Sequence, residues 1–125
     1  MPHIMIEYSA NLEGELDMSA FCEVIRATAA GIEAFPTAGI RVRAFRADYY
    51  AIADGASGHA FIDISIRLRE GRSQEVKQAA TTQIFAAAEA FLAPHMARRS
   101  LALSLEMRDI DAMLSPKTGS IRDHL

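Results

Sequence analysis

At 125 residues, half of them hydrophobic and 23% charged, the chain is sized for one domain with a single core. A formal net charge of −3 with no lysine–arginine run excludes a phosphate-gripping surface, and a single cysteine, Cys22, excludes an intramolecular disulfide and a thiolate metal cluster. No signal-peptide pattern opens the chain and no apolar run reaches transmembrane length, so the expected compartment is the cytoplasm, with neither nucleic acid nor membrane as partner.

The chain opens Met1-Pro2-His3. A small residue at the second position permits removal of the initiator methionine, which would leave Pro2 as a free secondary amine. An α-amino group titrates at about 7.7–8.0, and burial or a nearby cation lowers it. The result is a base poised near neutrality. Ordinary termini also begin this way, so the dipeptide alone does not separate a catalytic amine from a plain chain end.

His3 to Tyr8 reads as a first strand and Ser9 to Gly14 as a polar loop. Asp17 is placed as a helix N-cap, with Leu16 and Phe21 as a hydrophobic staple across it. Met18, Phe21, Cys22, Ile25, Ala29 and Ile32 recur at helical spacing, which makes Cys22 a small core residue and carries the helix to Phe35-Pro36. Ile40 to Tyr50 reads as a second strand, with Arg41, Arg43 and Phe45 on its polar face; Asp54 to Gly58 is a turn cluster. In the third strand Ile62, Ile64, Ile66 and Leu68 alternate with Phe61, Asp63, Ser65 and Arg67. Ser73 then caps a second helix whose buried stripe is Val76, Ala80, Ile84, Ala87 and Phe91, and which Pro94 kinks or ends. Leu101 to Asp109 is a fourth alternating strand, and the tail after Asp111 is irregular, free to reach a neighbouring subunit.

This order predicts an α+β, two-layer fold: tandem β-α-β units, about 1–58 and 59–112, forming a four-stranded mixed sheet with two helices on one face. The other face carries Arg41, Arg43, Asp63, Ser65, Arg67, Ser104, Glu106 and Arg108 with Phe45 and Phe61. That mixture suits an interface in an oligomer; a solvated face of a monomer is the alternative. His3 could tune the amine beside it or simply sit on the strand. His59, His95 and His124 lack metal-ligand spacing, the serines lack a nucleophile elbow, and no glycine-rich phosphate loop follows a strand.

Met1-Pro2-His3, Phe35-Pro36-Thr37-Ala38-Gly39-Ile40-Arg41, Ala53-Asp54-Gly55, Gly71-Arg72-Ser73 and Leu101-Ala102-Leu103-Ser104 with Glu106 together resemble the tautomerase superfamily. Within it, they are most similar to the 5-carboxymethyl-2-hydroxymuconate isomerases of homoprotocatechuate (4-hydroxyphenylacetate) degradation. The resemblance implies a homotrimer with sites between subunits, no metal and no organic cofactor. It also implies a proton shift on an enol dicarboxylate or tricarboxylate, with Pro2 as catalytic base and Arg41 and Arg72 as substrate-binding residues. The loop 56–59 and the tail fit the family pattern least. Two alternatives stand beside this expectation: a superfamily enzyme for a different enol or keto acid, and a non-catalytic oligomeric binding protein with a blocked N-terminus.

Overall fold

The computed structural model describes residues 1–125. One of its two inner strands is β1 (His3–Ser9), which pairs in parallel with β2 (Arg41–Ala47) and antiparallel with β3 (Ala60–Arg69). β4 (Leu101–Ile110) runs parallel to β3, giving the sheet order β2-β1-β3-β4. Helix α1 (Met18–Ala30) links β1 to β2, and α2 (Gln74–Met96) links β3 to β4. This is the expected α+β arrangement.

Strand alternation sorts the side chains by face. Val42, Ile4, Ile66 and Met107 form one row across the sheet, and Ala44, Ile6, Ile64 and Leu105 the next. The isoleucines of β1 and β3 are fully buried beneath Phe21, Ile25 and Ala29 of α1 and Ala80, Ile84, Ala88 and Leu92 of α2. Both helices therefore cover the same face, and Phe21 meets Phe91 with ring centroids 5.1 Å apart. The Asp17 carboxylate accepts from Ala20 N at 3.0 Å, and Leu16 and Phe21 are both buried, as a cap with its staple requires. No helix is long and apolar enough to cross a membrane.

Four local expectations are corrected. The segment after β1 is not a loose loop: Ala10–Leu12 is a 3₁₀ turn, and Ser9 is buried with its hydroxyl accepting from Phe61 N and donating to Asn11 Oδ1. Helix α1 stops at Ala30, before Phe35-Pro36, because Gly31 supports a helix poorly and Gly31 N and Ile32 N tighten the end by bonding Thr28 O and Ala29 O. Ile32 and Phe35 still reach the core, from the turn rather than the helix. β2 ends at Ala47 because its only partner, β1, ends opposite at Ser9.

Helix α2 runs through Pro94 to Met96. The proline falls in the last turn, and both it and Ala90, whose carbonyl its missing N–H cannot reach, are exposed, so the lost bond costs little there. The buried stripe of α2 is Ala80, Ile84, Ala88 and Leu92; Val76 is 41% exposed, and Ala87 and Phe91 lie at its margins. Opposite the helices, the sheet is uncovered in the single chain, with rows Arg41–His3–Arg67–Arg108 and Arg43–Met5–Ser65–Glu106. Met5 and Phe45 expose apolar surface among these charges, at 37% and 53%.

Candidate active site

Because β1 is paired on both sides from its first residue, the chain just ahead of it is fixed. Pro2 is fully buried, and its carbonyl accepts from Arg41 N at 3.2 Å. Gly39 makes this possible: a Cβ there would stand 3.1 Å from Met1 Cα and 3.2 Å from Pro2 Cδ. Pro2 Cδ is bonded to the proline nitrogen, so the Thr37–Gly39 turn packs directly against the atom that methionine removal would free.

Sheet register then delivers the charge. The parallel partner β2 begins at Arg41, beside His3. The antiparallel partner β3 pairs Arg67 with His3, so its end carries Arg69 toward residue 1. Gly71 follows with φ +116°, a conformation that glycine adopts freely and other residues resist. That turn folds Arg72 back: Nη1 donates to Arg69 O and Nη2 to Ala34 O, each at 3.0 Å. Arg72 thus ties the end of β3 to the turn after α1. Arg41 donates only to Gly39 O, through Nη1 at 3.1 Å, which leaves its Nε and Nη2 edge free.

The terminal amine, carried by Met1 in this structure, is held below the ordinary α-amino value, first by burial and then by Lys117, Arg72, Arg69 and Arg41. Both causes penalise the ammonium form. His3 is held below the usual imidazole value by burial, then by Arg67, Arg43, Arg41 and the amine. Its Nδ1 is buried with no hydrogen-bond partner.

Of the residues singled out by sequence, Pro2, Arg41 and Arg72 converge on one end of β1. His59 does not join them: its ring contacts Asp54 at 2.8 Å and Ser100 at 2.7 Å, tying the 54–58 turn to the start of β4. Sequence reasoning missed Arg69 and Lys117, and it placed Gly39 in a motif without assigning its packing against Pro2. Arg69 was legible only through the antiparallel register, and Lys117 only through the fold of the tail. That tail lies against its own chain's terminus, closing a cleft of about 310 Å³ whose walls include Met1, Gly39, Arg41 and Lys117. A larger groove of about 480 Å³ between α1 and β2, lined by Met18, Cys22, Ile40 and Val42, contains no such cluster of cations. No group of three or more His, Cys, Asp or Glu side chains is placed to hold a metal ion.

A family model described as 5-carboxymethyl-2-hydroxymuconate isomerase matches residues 2–125. A 5-carboxymethyl-2-hydroxymuconate Delta-isomerase of Escherichia coli is 32% identical over 121 residues, 97% of this chain and 96% of that protein. The crystal structure of a 5-carboxymethyl-2-hydroxymuconate delta-isomerase superposes with TM-score 0.92 at 33% identity, covering 99% of this chain and 92% of that one. The corresponding isomerase from Deinococcus radiodurans R1 gives 0.91 at 31% identity, covering 98% and 92%. A fused 4-OT symmetric trimer, at 21% identity and TM-score 0.66 over 93% of this chain and 91% of its own, shares the fold.

The two carbonyls held by Arg72 generate a direct test. Arg72→Lys keeps a cation near the amine but cannot bridge both carbonyls, because an ammonium lacks the planar fork. We expect a loss of about 1.5–3 kcal/mol in urea unfolding, the scale of one charge-assisted hydrogen bond. A variant as stable as its parent would show that the tie contributes nothing.

Proposed function

The chain belongs to the 5-carboxymethyl-2-hydroxymuconate isomerase family, and on that premise we propose that it converts this enol tricarboxylate to its keto isomer, with Pro2 as the base once Met1 is removed. The observation that carries the reading is the gathering of Arg41, Arg69, Arg72 and Lys117 around the partly buried chain terminus, where the Met1 amine they act on stands in for the Pro2 amine that methionine removal would expose. One arrangement meets two needs. Burial and the cations shift the amine toward its unprotonated form, and the cations attract a polyanionic substrate.

The chemistry needs one base that takes a proton and gives it back. The neutral Pro2 nitrogen removes the enol proton, leaving a conjugated dienolate and a secondary ammonium. The ammonium then returns that proton to a carbon further along the chain, which restores the free amine and yields the conjugated keto acid. Arg41, with its Nε and Nη2 edge unused, suits a bidentate carboxylate contact. Arg72, already bonded to two carbonyls, acts mainly through its charge on the developing dienolate. No step calls on a metal or organic cofactor.

The open sheet face, with Met5 and Phe45 among paired charges, suits packing against further copies of the chain, and we read the assembly as a homotrimer. Light scattering should return the mass of three chains; a monomer at assay concentration would contradict that.

The reaction is tested by an ultraviolet assay of 5-carboxymethyl-2-hydroxymuconate on untagged protein whose mass shows Met1 absent. Rapid conversion is expected, lost when the N-terminus is extended and reduced in Pro2→Ala, which keeps a primary amine. Arg41→Ala should lower kcat/KM by about 1.5–3 kcal/mol in transition-state free energy, the worth of a charged hydrogen-bonding contact. Full activity in the extended protein would refute Pro2 as base. Conversion confined to other enol acids would keep the base and change the substrate.

A further inference from the structure

The C-terminal tail is rooted beside the site. Glu70 N donates to Ile110 O at 3.1 Å, Ala112 N donates to Glu70 Oε1 at 2.8 Å, and Asp111 caps the 3₁₀ turn Ala112–Leu114. This holds the tail to the same connection that carries Arg72. From Pro116 onward no side chain makes a hydrogen bond or ion pair, yet residues 117–123 form one wall of the cleft over Met1 and Gly39. Within that cleft Arg41, Lys117 and Arg122 face only one carboxylate, Asp123. In a chain of net charge −3, this excess of unpaired cations is a local feature and not the background.

We propose that this tail is a substrate-recognition strap, in which Lys117 and Arg122 receive a carboxylate other than the one bound by Arg41. The substrate class is thereby set as acyclic tricarboxylates over shorter enol acids. Two flexible cations on one wall and a rigid strand arginine on the other can hold two carboxylates of one molecule across the space between them. The inference rests on the reading of Arg41 and Pro2 as the site, and deepens it by naming what measures substrate length and charge. Lys117 and Arg122 are positioning residues, since the proton transfer does not pass through them.

The test compares kcat/KM for the tricarboxylate with that for an enol dicarboxylate lacking the carboxymethyl arm, in the parent, Lys117→Ala, Arg122→Ala and the double variant. Arg122→Ala should lose roughly tenfold on the tricarboxylate, chiefly in KM, and under about threefold on the dicarboxylate, whereas the double variant, which also removes a charge acting on the amine, should lose on both substrates but at least about tenfold more on the tricarboxylate. Lys117→Arg should restore most of the loss. Calorimetry with propane-1,2,3-tricarboxylate needs no proton transfer, so it separates failure of this proposal from failure of Pro2 as base. At least tenfold weaker binding by the double variant supports the strap. Equal losses on both substrates, or unchanged tricarboxylate binding, would overturn it.

Discussion

The candidate site depends on one constraint: the strand that begins at residue 3 is an inner strand, hydrogen-bonded on both sides. An N-terminus is ordinarily the part of a chain most prone to fraying. Here the pairing fixes Pro2, and the two neighbours then determine what surrounds it. A parallel neighbour starts where β1 starts, bringing Gly39 and Arg41. An antiparallel neighbour ends there, bringing Arg69 and the Gly71-Arg72 turn. The cationic surroundings of the amine are a consequence of register.

The same geometry sets the electrostatics. A terminal amine among four cations, partly withdrawn from water, favours its neutral form. Ordinary ion pairing would defeat this, because an adjacent carboxylate would stabilise the ammonium. Acidic residues outnumber basic ones, 16 to 13, yet the groups that act on the amine are all cationic. His3, flanked by Arg41 and Arg67, is shifted toward its neutral form by similar forces. In the proposed mechanism, cations already held in place would cost nothing further to orient as a dienolate forms beside them.

The strands and caps were legible because alternation and N-cap chemistry are local signals: β3 reads almost without error from Ile62, Ile64, Ile66 and Leu68. Periodicity alone makes helix α1 too long, because its stripe continues through Ile32, which is indeed buried, while the backbone has already left the helix at Gly31. The α2 stripe drifted for a related reason: alanine lies on every side of that helix, and only packing decides which alanines are covered. Of the candidate site, Pro2, Arg41 and Arg72 stand in recognisable motifs, and the fold brings them to one end of β1. Arg69 and Lys117 lack motifs; their proximity to the amine comes from strand pairing and from the path of an irregular tail, neither of which has a local signature.

The central claim is that the amine between these cations is the group whose protonation controls the reaction. It is tested most directly by titrating ¹⁵N-labelled Pro2 by NMR in protein from which Met1 has been removed and measuring the pH dependence of kcat/KM on the same sample. The limb of kcat/KM that falls toward low pH reports the free enzyme's base. It should coincide with the amine titration, below the ordinary range of about 7.7–8.0. In Arg41→Ala, which removes one cation, both should move to higher pH together. An acidic limb that ignores the amine titration, or stays in place when the amine shifts, would contradict the account.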